Sequence, residues 1–167
     1  KGRLLLYNIY DKRPEFIGSY DGVFLMDVVE HIEDDRLFVR TAVEHLRDDG
    51  IIVINVPAHQ SLFSKFDASV GHIRRYNKKE MALLLKECGV QVIHMNYWGF
   101  FLLPVVVMRK VYLAFFTQDI VKHGFNPSNA FIDKILLTLM NVELGLPFIN
   151  FVGNSLIVIG KINRKAN

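Results

Sequence analysis

Several things that would declare a protein class at once are scarce in this chain. Its 167 residues include one cysteine, Cys88, so neither an internal disulfide nor a cysteine-only metal site can form. That suits a reducing cytosol, and Cys88, in the helix-ending run Lys86-Glu87-Cys88-Gly89, reads as a packed thiol. Charge of one sign is also lacking. Twenty Lys and Arg stand against 17 Asp and Glu, a net charge of +3, and the basic residues cluster only at Arg74-Arg75, Arg109-Lys110 and the tail over 161–165. Charge alone therefore does not indicate a nucleic-acid partner. No apolar run reaches the roughly 20 residues that a membrane-crossing helix needs. Residues 100–108 come nearest, but Pro104 interrupts them and Arg109-Lys110 ends them. The opening Lys1-Gly2-Arg3, followed only by Leu4-Leu5-Leu6-Tyr7, lacks the pattern of a signal peptide.

What the chain has in abundance is apolar character, 51% of residues, enough for one domain with a substantial core. The organising stretch is Tyr20-Asp21-Gly22-Val23-Phe24-Leu25-Met26-Asp27-Val28-Val29-Glu30-His31-Ile32. Its first half is an uninterrupted apolar run, the pattern of a central parallel strand buried on both faces. Its second half turns polar. Asp27, Glu30 and His31 are spaced i, i+3, i+4, so a helix beginning there puts all three on one face, at the strand's carboxyl end, where open α/β sheets bind ligands.

The order of the remaining elements follows from periodicity and caps. Residues 4–9 read as a short strand. Asp34-Asp35 starts a helix that repeats apolar residues through Leu46, and Asp48-Asp49-Gly50 makes a turn in which Gly50 takes positive φ. Residues 51–56 form a second buried strand, ended by Pro57. The segment 58–76 has little periodicity and reads as a loop folded over a site. Asn77-Lys78-Lys79-Glu80 predicts a capping box and a helix to Cys88, stopped by Gly89. Residues 90–97 and 155–162 predict an antiparallel strand pair. Between them, residues 98–152 carry two apolar helical patterns, one over 100–116 and one over 130–144 with Ile132, Ile135, Leu136, Leu139 and Val142 on one side. This insertion suits a lid over a pocket, a homodimer face or a peripheral membrane contact.

The stretch from Tyr20 to Asp35 resembles the fourth strand and following helix of class I S-adenosylmethionine (SAM)-dependent methyltransferases. Asp48-Asp49-Gly50 with the strand to Pro57 resembles the start of that family's fifth strand. Gly71-His72-Ile73-Arg74-Arg75-Tyr76 is similar to a "GH.RRY" segment of one small-substrate branch, and Asn154-Ser155-Leu156-Ile157-Val158-Ile159 to its last strand. The resemblance implies an α/β fold: part of a Rossmann-like, mostly parallel mixed sheet with its last strand antiparallel, flanked by helices. It also implies that about two strand–helix units, roughly 60 residues including a Gly-rich SAM loop, belong before Leu4.

The implied cofactor is SAM, with Asn8 or Ile9 near its adenine and Met26 and Asp27 beside it. The implied activity is methyl transfer to an oxygen or nitrogen of a small-molecule, lipid or sugar-like acceptor. His31, His72 and Glu30 are the candidate catalytic residues, with either imidazole as general base. His59, Arg74, Arg75 and Tyr76 face the substrate mouth, although Arg75 equally suits an ion pair with Glu30 or Asp67 that pins the loop. Asp27, Glu30, His31 and His72 also make a candidate divalent-metal set, as in a related branch of RNA 2′-O-methyltransferases. Competing expectations are such a metal-assisted RNA enzyme and a non-catalytic interaction module on the same fold. The expected location is cytoplasmic, with membrane association through the insertion.

Overall fold

The computed structural model describes residues 4–115, 130–146 and 150–162, with the backbone alone at 130–133. Four strands, β1 (Tyr20–Met26), β2 (Leu46–Pro57), β3 (Val90–Trp98) and β4 (Ser155–Ile162), form one sheet in the order β1-β2-β4-β3. β1 and β2 are parallel, and β4 runs antiparallel to both β2 and β3. The helices are α1 (Asp35–Glu44), α2 (Lys65–Ser69), α3 (Lys78–Glu87), α4 (Leu103–Phe115) and α5 (Ala130–Leu144).

One sheet face makes the core. Register places Leu25, Ile54, Val158 and Met95 on that face, and Val56, Leu156 and Tyr97 one step along it. Val39, Ala42 and Val43 of α1 and Met81, Leu84 and Leu85 of α3 join the same buried cluster. Both helices are fixed by the predicted caps. The Asp34 carboxylate accepts the Leu37 N–H at 2.8 Å, and Asn77 and Glu80 exchange side chain and backbone at 2.9 and 3.0 Å.

Four local expectations are corrected. Residues 4–9 form no strand. Asn8 instead caps a 3₁₀ turn over Ile9–Asp11 by accepting the Tyr10 N–H, which closes the backbone locally. β1 is not central: among the described residues it pairs only with β2, and Phe24 and Met26, on the face away from the core, are 65% and 49% exposed. Residues 48–50 make no separate turn: α1 ends at Glu44 and β2 runs from Leu46, with its pairing to β1 shifting between Tyr20 and Gly22, and the positive φ in this irregular stretch belongs to Asp49, at 65°, not to Gly50. Gly50 answers a different need, since a Cβ there would lie 2.9 Å from the Arg47 carbonyl oxygen.

The fourth correction concerns 58–76, which is built rather than loose. It holds a 3₁₀ turn (Gln60–Leu62) and α2, whose Ser64 N–H and hydroxyl both donate to Asp67, at 2.8 and 2.9 Å. The Ser64-x-x-Asp67 capping signal was present in the sequence. Of the 98–152 insertion, α4 and α5 form as the apolar periodicity predicts. Phe116 at the end of the first pattern, the Ile132 side chain of the second and the tail beyond Ile162 lie outside the described residues.

Candidate active site

At the carboxyl end of β1 the chain does not enter an α-helix. Asp27 takes φ 52°, and a 3₁₀ turn over Val29–His31 follows. The i, i+3, i+4 face expected for Asp27, Glu30 and His31 is therefore broken. Asp27 turns toward β2, where its carboxylate accepts the Asn55 side-chain N–H at 2.9 Å. The Asn55 carbonyl in turn accepts the Trp98 indole N–H at 2.7 Å. A polar chain thus ties the ends of β1, β2 and β3 together. Sequence reading missed Asn55; its signal was one amide side chain inside the apolar run 51–56.

Glu30 and His31 take separate positions. Glu30 is fully buried, and neither carboxylate oxygen has a hydrogen-bond partner. Burial, helped by the Asp27 charge, pushes its pKa up to about 7. His31 is exposed, and its Nδ1 lies 3.0 Å from the Gly71 carbonyl oxygen. Gly71 has φ 85°, a backbone conformation that favours glycine, while a Cβ there would make only ordinary contact with the His31 ring, at 3.4 Å.

His72 closes the group from the other segment. Its ring stands edge-on to that of His31, centroids 4.8 Å apart, and its Nε2 lies 3.8 Å from Glu30 Oε1. Its Nδ1 is 3.2 Å from Asp67 Oδ1. Burial draws the His72 pKa down, against the opposing pull of Asp67. The backbone adds a further link, Ile73 N–H to the Glu30 carbonyl at 3.0 Å. Two stretches forty residues apart are thereby brought to one rim. Among the described residues, ligand atoms of Glu30, His31 and His72 all lie within 4.8 Å of one another, and Asp27 stands outside that set.

The other expected mouth residues are held by internal partners. Arg75 is buried: its Nε and Nη2 reach Asp67 Oδ1 at 2.8 and 2.7 Å, and Nη1 donates to the Ala58 carbonyl and to Asn154. This is the loop-pinning arrangement, with Asp67 rather than Glu30 as the partner. Arg74 donates to Asp35 and to the Glu33 carbonyl, and the buried Tyr76 hydroxyl donates to Asp35 at 2.8 Å. All three side chains thus join the loop to α1 or to itself.

His59, at φ 61°, lies against the Tyr97 ring with centroids 4.5 Å apart. Its buried Nε2 has no partner, and burial with the nearby Arg75 charge lowers its pKa. Asn8 is engaged with Tyr10 and Asp11, and Ile9 is half-buried against the core. α4 crosses over this segment, with the Arg109 guanidinium 3.7 Å from the centre of the Phe66 ring and the Lys110 ammonium donating to the Ser61 carbonyl.

Known proteins share this architecture. A SAM-dependent methyltransferase from Archaeoglobus fulgidus superposes with a TM-score of 0.51 at 18% identity, over 92% of this chain and 64% of that one. A chain of the Haloferax volcanii complex between the Trm112 methyltransferase activator and a protein described as a methyltransferase gives 0.53 at 11%, over 92% and 59%. A protein described as a methyltransferase from Bacillus halodurans C-125 gives 0.53 at 11%, over 92% and 68%. At such identities the likeness is one of fold. The chain spans about 60% of the length of the first two. No curated protein matches it in sequence. The sequence profile of the methyltransferase domain family matches residues 9–95, more than half of the chain. By that match the chain belongs to the methyltransferase domain family.

Proposed function

We propose that this chain is the acceptor-side part of a SAM-dependent methyltransferase that modifies an oxygen or nitrogen of a small-molecule, lipid or sugar-like acceptor. The observation that carries the reading is the convergence of Glu30, His31 and His72 above the β1 end, in a chain whose family match spans the same elements. The rim of β1 suits one wall of a SAM site. Met26 offers a half-exposed apolar surface, and Asp27 turns the backbone out of the strand beside it. Asn8 suits the adenine contact less well, because its amide already serves Tyr10 and Asp11.

SAM, when bound, supplies a methyl group on a sulfonium that needs no covalent help. The chain's task is to bring the acceptor atom in line and to manage its proton. The His31–Glu30–His72 group is where that acceptor atom would be received, with the open side at His31. α4, held over the 58–76 segment through Phe66 and Ser61, serves as the lid.

The test is calorimetry with SAM on the full-length protein, followed by turnover of acceptors. One-to-one SAM binding is expected, and His72→Ala should reduce turnover far more than SAM affinity. Full-length protein that carries a Gly-rich loop yet binds no SAM would end the enzyme reading. Equal loss of affinity and turnover in His72→Ala, or loss of folding, would make His72 structural.

A further inference from the structure

Helix α4 is turned inside out. Its only charged side chains, Arg109 and Lys110, face the domain, the first over the Phe66 ring and the second on the Ser61 carbonyl. The buried Val106 and Leu113 lie on the same inner side. The outer side, spaced i, i+3, i+4, i+7 and i+11, is Pro104, Val107, Met108, Val111 and Phe115, all exposed, Met108 at 71% and Phe115 at 78%. A helix at a water-facing surface has the opposite arrangement. At the amino end this side runs into a groove of about 500 Å³, lined by Phe100, Phe101, Leu103, Pro104, Val107 and Met108 without one polar side chain.

α5 repeats the inversion. Among its described side chains the buried one is the acid, Glu143, which receives the N–H groups of Gly99 and Phe100, while Leu137 and Leu144 stand out, Leu144 at 84%.

Hydrogen-bonding capacity and charge identify what fits the outer side of α4. A lid uses the inner side only. A second copy of the chain or another protein makes about one hydrogen bond per 100–200 Å² of interface, and the five outer side chains offer no hydroxyl, amide or charge. A bilayer asks for none. The sign of the charge agrees. The sequence holds no Asp or Glu between Glu87 and Asp119, and the exposed charge among the described side chains of α5 is Lys134. An anionic surface therefore meets cations and no exposed carboxylate on these described residues. At about 1.5 Å per residue α4 is roughly 20 Å long, too short for a hydrocarbon core of about 30 Å, so it suits a position in the membrane plane.

We propose that α4 docks in the plane of an anionic phospholipid bilayer, with Pro104, Val107, Met108, Val111 and Phe115 at the acyl boundary and the groove at its amino end taking lipid chains. The Arg109 and Lys110 contacts then hold the 58–76 segment, and with it the His72 rim, close to the membrane surface. The docking stands on the helix alone. Its use, giving that rim access to a membrane-borne acceptor, rests on the methyl-transfer reading.

The test is sedimentation of full-length protein with vesicles of phosphatidylcholine containing one third phosphatidylglycerol, and with vesicles of phosphatidylcholine alone. Binding to the anionic vesicles is expected, several-fold weaker to the neutral ones. Met108→Asp and Val111→Asp should each weaken it by about tenfold or more, the effect of one apolar side chain denied burial. Leu83→Asp, at an exposed apolar position of α3, should leave it unchanged. All three change exposed side chains, so circular dichroism should show intact folds. Absence of vesicle binding, equal binding to both compositions, or binding unchanged in Met108→Asp and Val111→Asp would overturn the docking. So would a vesicle-independent dimer, seen by analytical ultracentrifugation, that Met108→Asp dissociates, because the face would then belong to a second copy. Vesicle binding without SAM binding would end the methyl-transfer reading alone, and SAM binding without vesicle binding would end the docking alone.

Discussion

Glu30 makes a stability prediction independent of any ligand. Its ordinary value is 4.5 and its folded value about 7, so between these the folded chain keeps a proton that the unfolded chain has lost. In EDTA, stability should therefore fall as pH rises through that window and stay low above it. Glu30→Gln should remove this decline and stabilise the protein at pH 8 by on the order of 3 kcal/mol, at 1.36 kcal/mol per unit; denaturant titrations across pH measure both. Asp67 behaves oppositely. Burial alone would raise its pKa, but the Arg75 guanidinium, with Ser64 and His72, more than offsets burial and holds it below the usual range. Its contribution is present near neutrality and lost as pH falls through the depressed value. Arg75→Ala leaves that carboxylate buried without its cation and should cost about 3–5 kcal/mol, read as a shift in the urea midpoint. At this scale the sequence was legible by type and pairing: His31 with His72, and Arg75 with an acidic loop residue. The burial of Glu30 was not, because a single positive φ at Asp27 converts a helical face into a 3₁₀ turn, and no spacing rule anticipates that.

At the scale of elements, the junction of α4 and α5 depends on one side chain. The Glu143 carboxylate, buried near the end of α5, accepts N–H bonds from Gly99 at 2.6 Å and Phe100 at 3.0 Å, with Phe101 at 3.5 Å. These are the free donors at the start of the 3₁₀ turn Phe100–Leu102 that leads into α4, so the acid neutralises a helix N-terminus from another helix. Glu143→Ala should cost about 1–3 kcal/mol and speed amide exchange at 99–101, with little change in β2 or β4. Unchanged exchange there would show that other contacts hold the two helices. Elements were the most readable level. α1, α3, β3 and β4 followed from caps and apolar runs, as did β2 from Ile51 onward, whereas residues 46–50 were expected as a helix end and a turn and belong to β2. The failures, residues 4–9 and the interior of 58–76, are short pieces whose conformation is set by one or two polar side chains, Asn8 in the first case and Ser64 with Asp67 in the second.

For the molecule as a whole, cofactor binding should register as stability. A ligand bound only by the folded state at a hundredfold excess over its Kd adds about 2.7 kcal/mol. Full-length protein should thus melt roughly 5–11 °C higher with SAM at that excess than without it; scanning calorimetry over a SAM series checks this. Arg109→Ala, which removes the cation over Phe66, should leave that increment in place while loosening the 58–76 segment in hydrogen exchange. No helix among the described residues is long and apolar enough to cross a membrane.

The Arg75 guanidinium joins stretches that are remote along the chain. It touches Ala58 just past β2, Asp67 in α2 and Asn154 at the threshold of β4, the last of these 79 positions away. Asp67 is also what orients His72. Through Asp67 the orientation of the His72 ring is therefore coupled to the entry of β4, and a disturbance at Asn154 has a short path through Arg75 to the rim.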